Sequence, residues 1–235
     1  MKLYDEVITQ CLRLLEAEQG IVWEAKDTSW PSVSDRSMIL RSDMAFELGS
    51  GTKPAIGCTI ITGSDELVKK DKVTLIGKDL PDIENDMPYA RIALVRVNED
   101  VLKEGEALYR AIRNLEYTRY HFYPEGFMMR VSASKQKESV RIGKEALEKG
   151  LSFEKTGSKM IKAFHEHDLV ESVSIYYITK ENFDYETLAR YAKEAESITK
   201  TIDHISTSAI MDCNACNLQQ VCDEVEGLRE LHFAK

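Results

Sequence analysis

The chain lacks what a membrane protein, a disulfide scaffold or a nucleic-acid binder needs. No apolar run in it approaches the roughly 18 residues that span a bilayer. The first residues, Met1-Lys2-Leu3-Tyr4-Asp5-Glu6, carry acids and lack the apolar centre of a secretion signal. A cytoplasmic location with no membrane partner is therefore expected. Positive charge is short: 31 Lys and Arg face 40 Asp and Glu, a net charge of -9. A phosphate backbone calls for a dense basic patch, so no nucleic-acid partner is expected. The basic stretch from Lys135 to Lys144 reads as a solvated surface. The five cysteines, Cys11, Cys58, Cys213, Cys216 and Cys222, are odd in number and unevenly spread, which does not suit a disulfide framework. There is no Gly-rich phosphate loop of standard spacing, no Gly-x-Ser-x-Gly elbow and no internal repeat.

What is present is an ordinary globular composition, 43% hydrophobic and 30% charged over 235 residues, enough for one large domain with a real core. Leu3, Val7, Ile8, Cys11, Leu14 and Leu15 recur at helical spacing and Gly20 stops the run, which predicts a helix over 3–18 with Cys11 as a small buried hydrophobe. Residues 26–43 read as a long surface connection. Strands are expected at Met44–Leu48, Ala55–Thr62 and Val73–Ile76, with Cys58 in the core between Ile56 and Ile60. A strong strand at Arg91–Val97 leads to a helix from Asp100 to Arg119. Tyr117, Tyr120, His121, Phe122 and Tyr123 then form an aromatic knot, read as closing a core edge. Further along come a strand at Phe127–Ser132, a helix at Lys144–Lys149, a helix capped by Ser152 and running to His167, and a strand at Val173–Thr179. A long helix from Glu181 or Asp184 to Thr201 ends in a linker, Ser206-Thr207-Ser208. Helices and strands mixed without regular alternation predict an α+β fold, a mixed sheet flanked by helices with a small C-terminal Cys-rich segment. The divisions expected are 1–43, 44–204 and 205–235.

Three of the five cysteines fall within ten residues, as Cys213-x2-Cys216-x5-Cys222. Thiolates bind soft or borderline metals, and a Cys-x2-Cys turn lets two sulfurs converge on one centre while Cys222 returns a third from the start of a helix. An iron–sulfur cluster is the first expectation and structural zinc the second. The four-cysteine norm leaves a fourth ligand open: Cys58, Cys11, His232, an Asp, a subunit mate or an exogenous group. His165 and His167, beside Glu166 and Asp168, read as helix-terminal imidazoles facing the helix dipole.

Several segments resemble, in the same order, acetyl-CoA synthase, the β subunit of the carbon monoxide dehydrogenase/acetyl-CoA synthase complex. They are Phe46-Glu47-Leu48-Gly49, the run Lys72 to Leu80, Pro124-Glu125-Gly126-Phe127-Met128, the run Val140 to Leu151, then Gly157, Ala163-Phe164-His165 and Ser172 to Thr179. The resemblance implies a shortened relative: the middle α+β domain over 44–204 and the start of the metal-cluster domain. It implies a [4Fe–4S]-type cluster on Cys213, Cys216 and Cys222, and, if catalytic, a CO-methylating acyltransferase of anaerobic one-carbon metabolism. Arg130, Lys135, Lys137 and Arg141 would grip the phosphates of coenzyme A. Carbon monoxide dehydrogenase, corrinoid-type proteins or a subunit mate would be the partners. Alternatives from other classes are a non-catalytic electron-transfer or docking partner and a zinc-stapled interaction module. No Cys-Gly-Cys element of the kind that holds nickel in that family occurs in these 235 residues.

Overall fold

A computed structural model describes residues 2–34, 42–103, 105–122, 124–131, 137–207, 216–228 and 231. Apolar periodicity decides the first helix. In α1 (Asp5–Glu16) the residues Val7, Ile8, Cys11 and Leu15 form one buried stripe, and Asp5 and Glu6 sit in the first turn, where acids suit the helix dipole. The strands that follow are dense in β-branched residues. They are β1 (Ile21–Glu24), β2 (Ala45–Leu48), β3 (Ala55–Thr62), β4 (Lys72–Ile76) and β5 (Tyr89–Val97). Then come α2 (Gly105–Tyr117), β6 (Phe127–Val131), β7 (Glu138–Gly143), α3 (Lys144–Glu148), α4 (Phe153–Phe164), β8 (Val170–Ile178), α5 (Tyr185–Thr207) and α6 (Gln219–Glu224).

Two sheets result. The larger has the order β1-β4-β8-β5-β3 and the smaller β2-β7-β6. In the larger sheet β3 runs parallel to β5 and β4 parallel to β8, while β1/β4 and β5/β8 are antiparallel. The fold is α+β with a mixed sheet flanked by helices, as its irregular element order predicts. Register separates the two faces of the large sheet. The row Cys58, Ile92, Tyr176, Thr74 looks toward α1 and α5, where Tyr4 bonds Thr199 at 2.9 Å and Asp5 accepts from Thr62 at 2.9 Å. The adjacent row Gly57, Arg91, Tyr177, Leu75 looks toward α4 and the small sheet. There Phe153 of α4 stacks on Tyr177 at 4.5 Å.

α4 starts where two side chains take up its free N–H groups. Ser152 accepts from the Lys155 N–H at 3.3 Å, and Asp79 accepts from the Phe153 N–H at 2.8 Å and the Leu80 N–H at 2.7 Å. The Ser152 cap thus falls where expected, and the helix ends at Phe164, before His167.

The structure departs from sequence expectation in four places. Ser206 and Thr207 are helical: α5 runs on to Thr207 without a break, so these two residues do not form the linker expected at 206–208. The hydroxyls of Thr199, Thr201 and Ser206 bond the carbonyls four residues back, at 3.1, 2.9 and 2.8 Å, which satisfies them inside the helix. Glu138–Gly143, inside the basic stretch read as surface, is the central strand of the small sheet, with Glu138, Val140, Arg141 and Ile142 buried. The strand β1 was not expected at all. Finally, Cys222 lies in the second half of α6, not at the start of a helix. Of the connection over 26–43, residues 35–41 lie outside the described part, but Val33 is buried and the Trp30 Nε1–H donates to the Glu125 carbonyl at 2.7 Å.

Candidate functional site

The tail thiols come first. Cys216 immediately precedes the turn that opens α6, its carbonyl accepting from the Gln219 N–H at 3.3 Å. Cys222 sits within α6, its N–H bonded to the Leu218 carbonyl at 3.2 Å. Both thiols are half-buried and unbridged, Cys222 rests against the core, and α6 packs on α5. Cys213 and His232 lie outside the described residues, and among the described ones no three His, Cys, Asp or Glu side chains converge as a metal site. As donors the two placed thiols suit a soft metal: accessible, on one short segment and uncommitted to a disulfide.

Cys11 and Cys58 lie elsewhere, buried in the core between α1 and β3. Burial pushes the Cys58 thiol up to about 12, with the Glu116 carboxylate adding to the effect. Burial likewise pushes Cys11 up to about 12. Thiols held protonated in apolar surroundings are inert.

The basic residues divide into two groups. Arg141 of β7 stands opposite Glu47 of β2, with its Nε 3.6 Å from the Glu47 carboxylate, and Arg130 of β6 reaches the same Glu47 oxygen at 3.2 Å. The two guanidinium groups thus share one carboxylate on the outer face of the small sheet, Arg130 exposed and Arg141 6% exposed. Lys137 lines a different groove, with Pro54, Tyr185 and Lys193. Lys135 lies outside the described residues.

Beneath that sheet lies a feature that no sequence pattern signals. Glu138, fully buried, takes two hydrogen bonds from fully buried Arg91, Nε and Nη2 each at 2.7 Å. Arg119 adds an Nη1 contact at 3.5 Å and the Tyr89 hydroxyl another at 3.4 Å. Burial by itself would draw the Arg91 proton affinity down, and the Glu138 carboxylate more than reverses that, so Arg91 stays charged. Burial and then the same carboxylate push the Tyr89 phenol well above its ordinary value. Room for the carboxylate exists because residue 57 is Gly: a Cβ there would meet Glu138 atoms at 2.4 Å. The two sheets are locked together by this group.

A cleft of about 850 Å³ opens where α4 ends. Asp71, just before β4, accepts from the Val173 N–H at 2.8 Å through one oxygen and holds His165 Nε2 at 2.8 Å through the other. A carboxylate can only accept, so Nε2 carries the hydrogen and the ring is fixed in orientation. Trp30, Phe122, Pro124 and Ile161 supply the apolar wall, and Lys159 holds its ammonium 5.0 Å from the centre of the Trp30 ring. The aromatic knot thus closes a core edge, with Phe122 packed edge-on to Phe127, and also presents His121 and Phe122 to this cleft. His165 was read as a plain helix-terminal imidazole. Its partner stands 94 residues away, and no local signal could have supplied it.

Two packed sheets, a helical layer on the far face and a thiol-bearing helix on α5 make this an α+β protein. The chain belongs to the family of the CO dehydrogenase/acetyl-CoA synthase complex beta subunit, whose model matches residues 32–183, well over half of its length. The match runs from before β2 to after β8 and stops short of the tail cysteines, Cys213, Cys216 and Cys222. No curated protein matches the chain as a relative. Among the described residues no helix is long and apolar enough to cross a membrane.

Proposed function

We propose that the chain is an iron–sulfur relative of that beta subunit, acting in anaerobic one-carbon and acyl-CoA metabolism within a larger assembly. Cys213, Cys216 and Cys222 hold the cluster, of the [4Fe–4S] type. The observation that carries this reading is the pair Cys216 and Cys222, unbridged, half-buried and seated on one short segment against the core. Three thiolates leave one position of the usual four to another ligand. A bound cluster would supply one-electron transfer or an open iron for soft ligands such as CO or a thioester. Arg130 and Arg141, side by side on Glu47, would grip the phosphates of coenzyme A, with Lys137 of the separate groove as a further candidate cation. Carbon monoxide dehydrogenase, a corrinoid-type protein or a subunit mate is the partner in this reading.

Anaerobic metal analysis with electron paramagnetic resonance of the reduced protein tests it. Iron and sulfide with a broad absorption near ~400 nm are expected, lost in Cys216→Ala and kept in Cys11→Ala. A colourless protein with stoichiometric zinc overturns the cluster. The phosphate contacts are tested separately by titrating coenzyme A: Arg130→Ala should weaken binding, and absence of binding to the unaltered protein removes that assignment alone.

A further inference from the structure

The cleft at the end of α4 has no part in the reading above. Its volume of about 850 Å³ suits a small organic molecule. The lysines beside it are mostly paired, Lys162 with Asp27 at 3.2 Å and Lys26 with Glu154 at 2.7 Å, and the Asp71 carboxylate is taken up by the Val173 N–H and the His165 Nε2–H, each at 2.8 Å. Among the described residues of the wall, Lys159 and Glu166 are left without an oppositely charged partner, and the His121 ring makes no hydrogen bond. The two leftover charges are not equivalent. Lys159 lies over the indole of Trp30, which is itself fixed by its bond to the Glu125 carbonyl at 2.7 Å. The Glu166 carboxylate makes no hydrogen bond or ion pair to any described residue. A charge already in place costs less to engage than one that must be ordered on binding.

We propose that this cleft binds a small organic anion, a carboxylate or phosphate on a flat apolar body, with the anionic head on the Lys159 ammonium and the body against Trp30 and Phe122. The site is independent of the tail cysteines.

The test uses tryptophan emission of the full chain, which has two tryptophans, Trp23 and Trp30. The probes are phenyl phosphate, benzoate, neutral benzyl alcohol and cationic benzylamine. A saturable change is expected with the two anions and not with the other two. Trp30→Phe should remove the signal while Trp23 still emits. Lys159→Met should weaken binding about tenfold, the value of one charge-assisted contact, and Glu166→Gln should tighten it. Both Lys159 and Glu166 are exposed, so these two variants should keep the fold, which circular dichroism would check. Equal responses to benzyl alcohol, an unchanged affinity in Lys159→Met, or preference for benzylamine would overturn the assignment. Cys216→Ala should bind the anions as the unaltered protein does, so a failed cluster and a failed cleft are told apart.

Discussion

At the scale of single residues, the buried group around Glu138 has the largest energetic consequence. Removing one partner of a buried ion pair typically costs about 3–5 kcal/mol, because the remaining charge is stranded. The two ends of this pair are not equal. Glu138→Ala strands two guanidinium groups, Arg91 and Arg119, with no counter-charge between them. Arg91→Met leaves Glu138 with Arg119 still beside it. Urea unfolding should therefore show a loss in that range or above for Glu138→Ala and a smaller one for Arg91→Met. The reverse order would mean that Arg119 is no real partner. The four described cysteines sort as sharply. In metal-free native protein at about pH 8, Cys216 and Cys222 should react with iodoacetamide, while Cys11 and Cys58, with thiols pushed up to about 12, should react only after unfolding. The core role of Cys11 and Cys58 was readable from apolar periodicity. The burial of Glu138 was not, because Lys135 and Lys137 lead into it and its partner stands 47 positions away.

At the scale of elements, close approach outweighs intrinsic propensity in α4. Replacing a mid-helix Gly by Ala ordinarily gains about 1 kcal/mol. Gly157, however, faces β4 so closely that an added Cβ would lie 2.5 Å and 2.7 Å from the two methyls of Val73. Overpacking of this kind costs about 1–3 kcal/mol, so Gly157→Ala should lower the urea midpoint even though it favours the helix; a raised midpoint would show that α4 can lift off the sheet. The cap is more regular: Ser152→Ala should cost about 1 kcal/mol. Elements built on strong apolar periodicity, α1, β3, β5 and β8, were legible because burial on one or both faces leaves a pattern. Three others were not. β1 is four residues long at a sheet edge, with Ile21 and Val22 more than half exposed, so no face is marked. β7 buries Glu138 on its inner face and Arg141 on its outer one, charges that read as surface. The end of α5 is rich in Ser and Thr, which suggest a break, yet their hydroxyls are bonded within the helix.

At the scale of the whole molecule, buried acids set an alkaline limit. The two core thiols ionise near 9.0 when exposed and near about 12 in the fold. Below about pH 9 both states keep these protons, and the thiols' contribution is complete. Above it the unfolded chain loses them first, so stability drains as pH climbs toward 12. Burial shifts the phenols of Tyr4, Tyr176, Tyr177 and Tyr185 upward too, which extends the loss. The urea midpoint should hold between about pH 7 and pH 8.5 and fall steadily beyond, and a midpoint flat to about pH 11 would contradict this burial. Which cavities and sheet faces meet in the assembled molecule was not legible, because parallel pairs such as β4 with β8 join segments about a hundred residues apart in the chain, as in Lys72 opposite Ser174. That strand order has a bearing on how the protein is made. β8 wedges between β4 and β5, yet both of those leave the ribosome long before it does. At ordinary translation speeds two sticky, half-satisfied edges stay bare for several seconds, so the nascent chain depends on chaperone cover until residue 178 emerges, and overexpression without it should yield inclusion bodies.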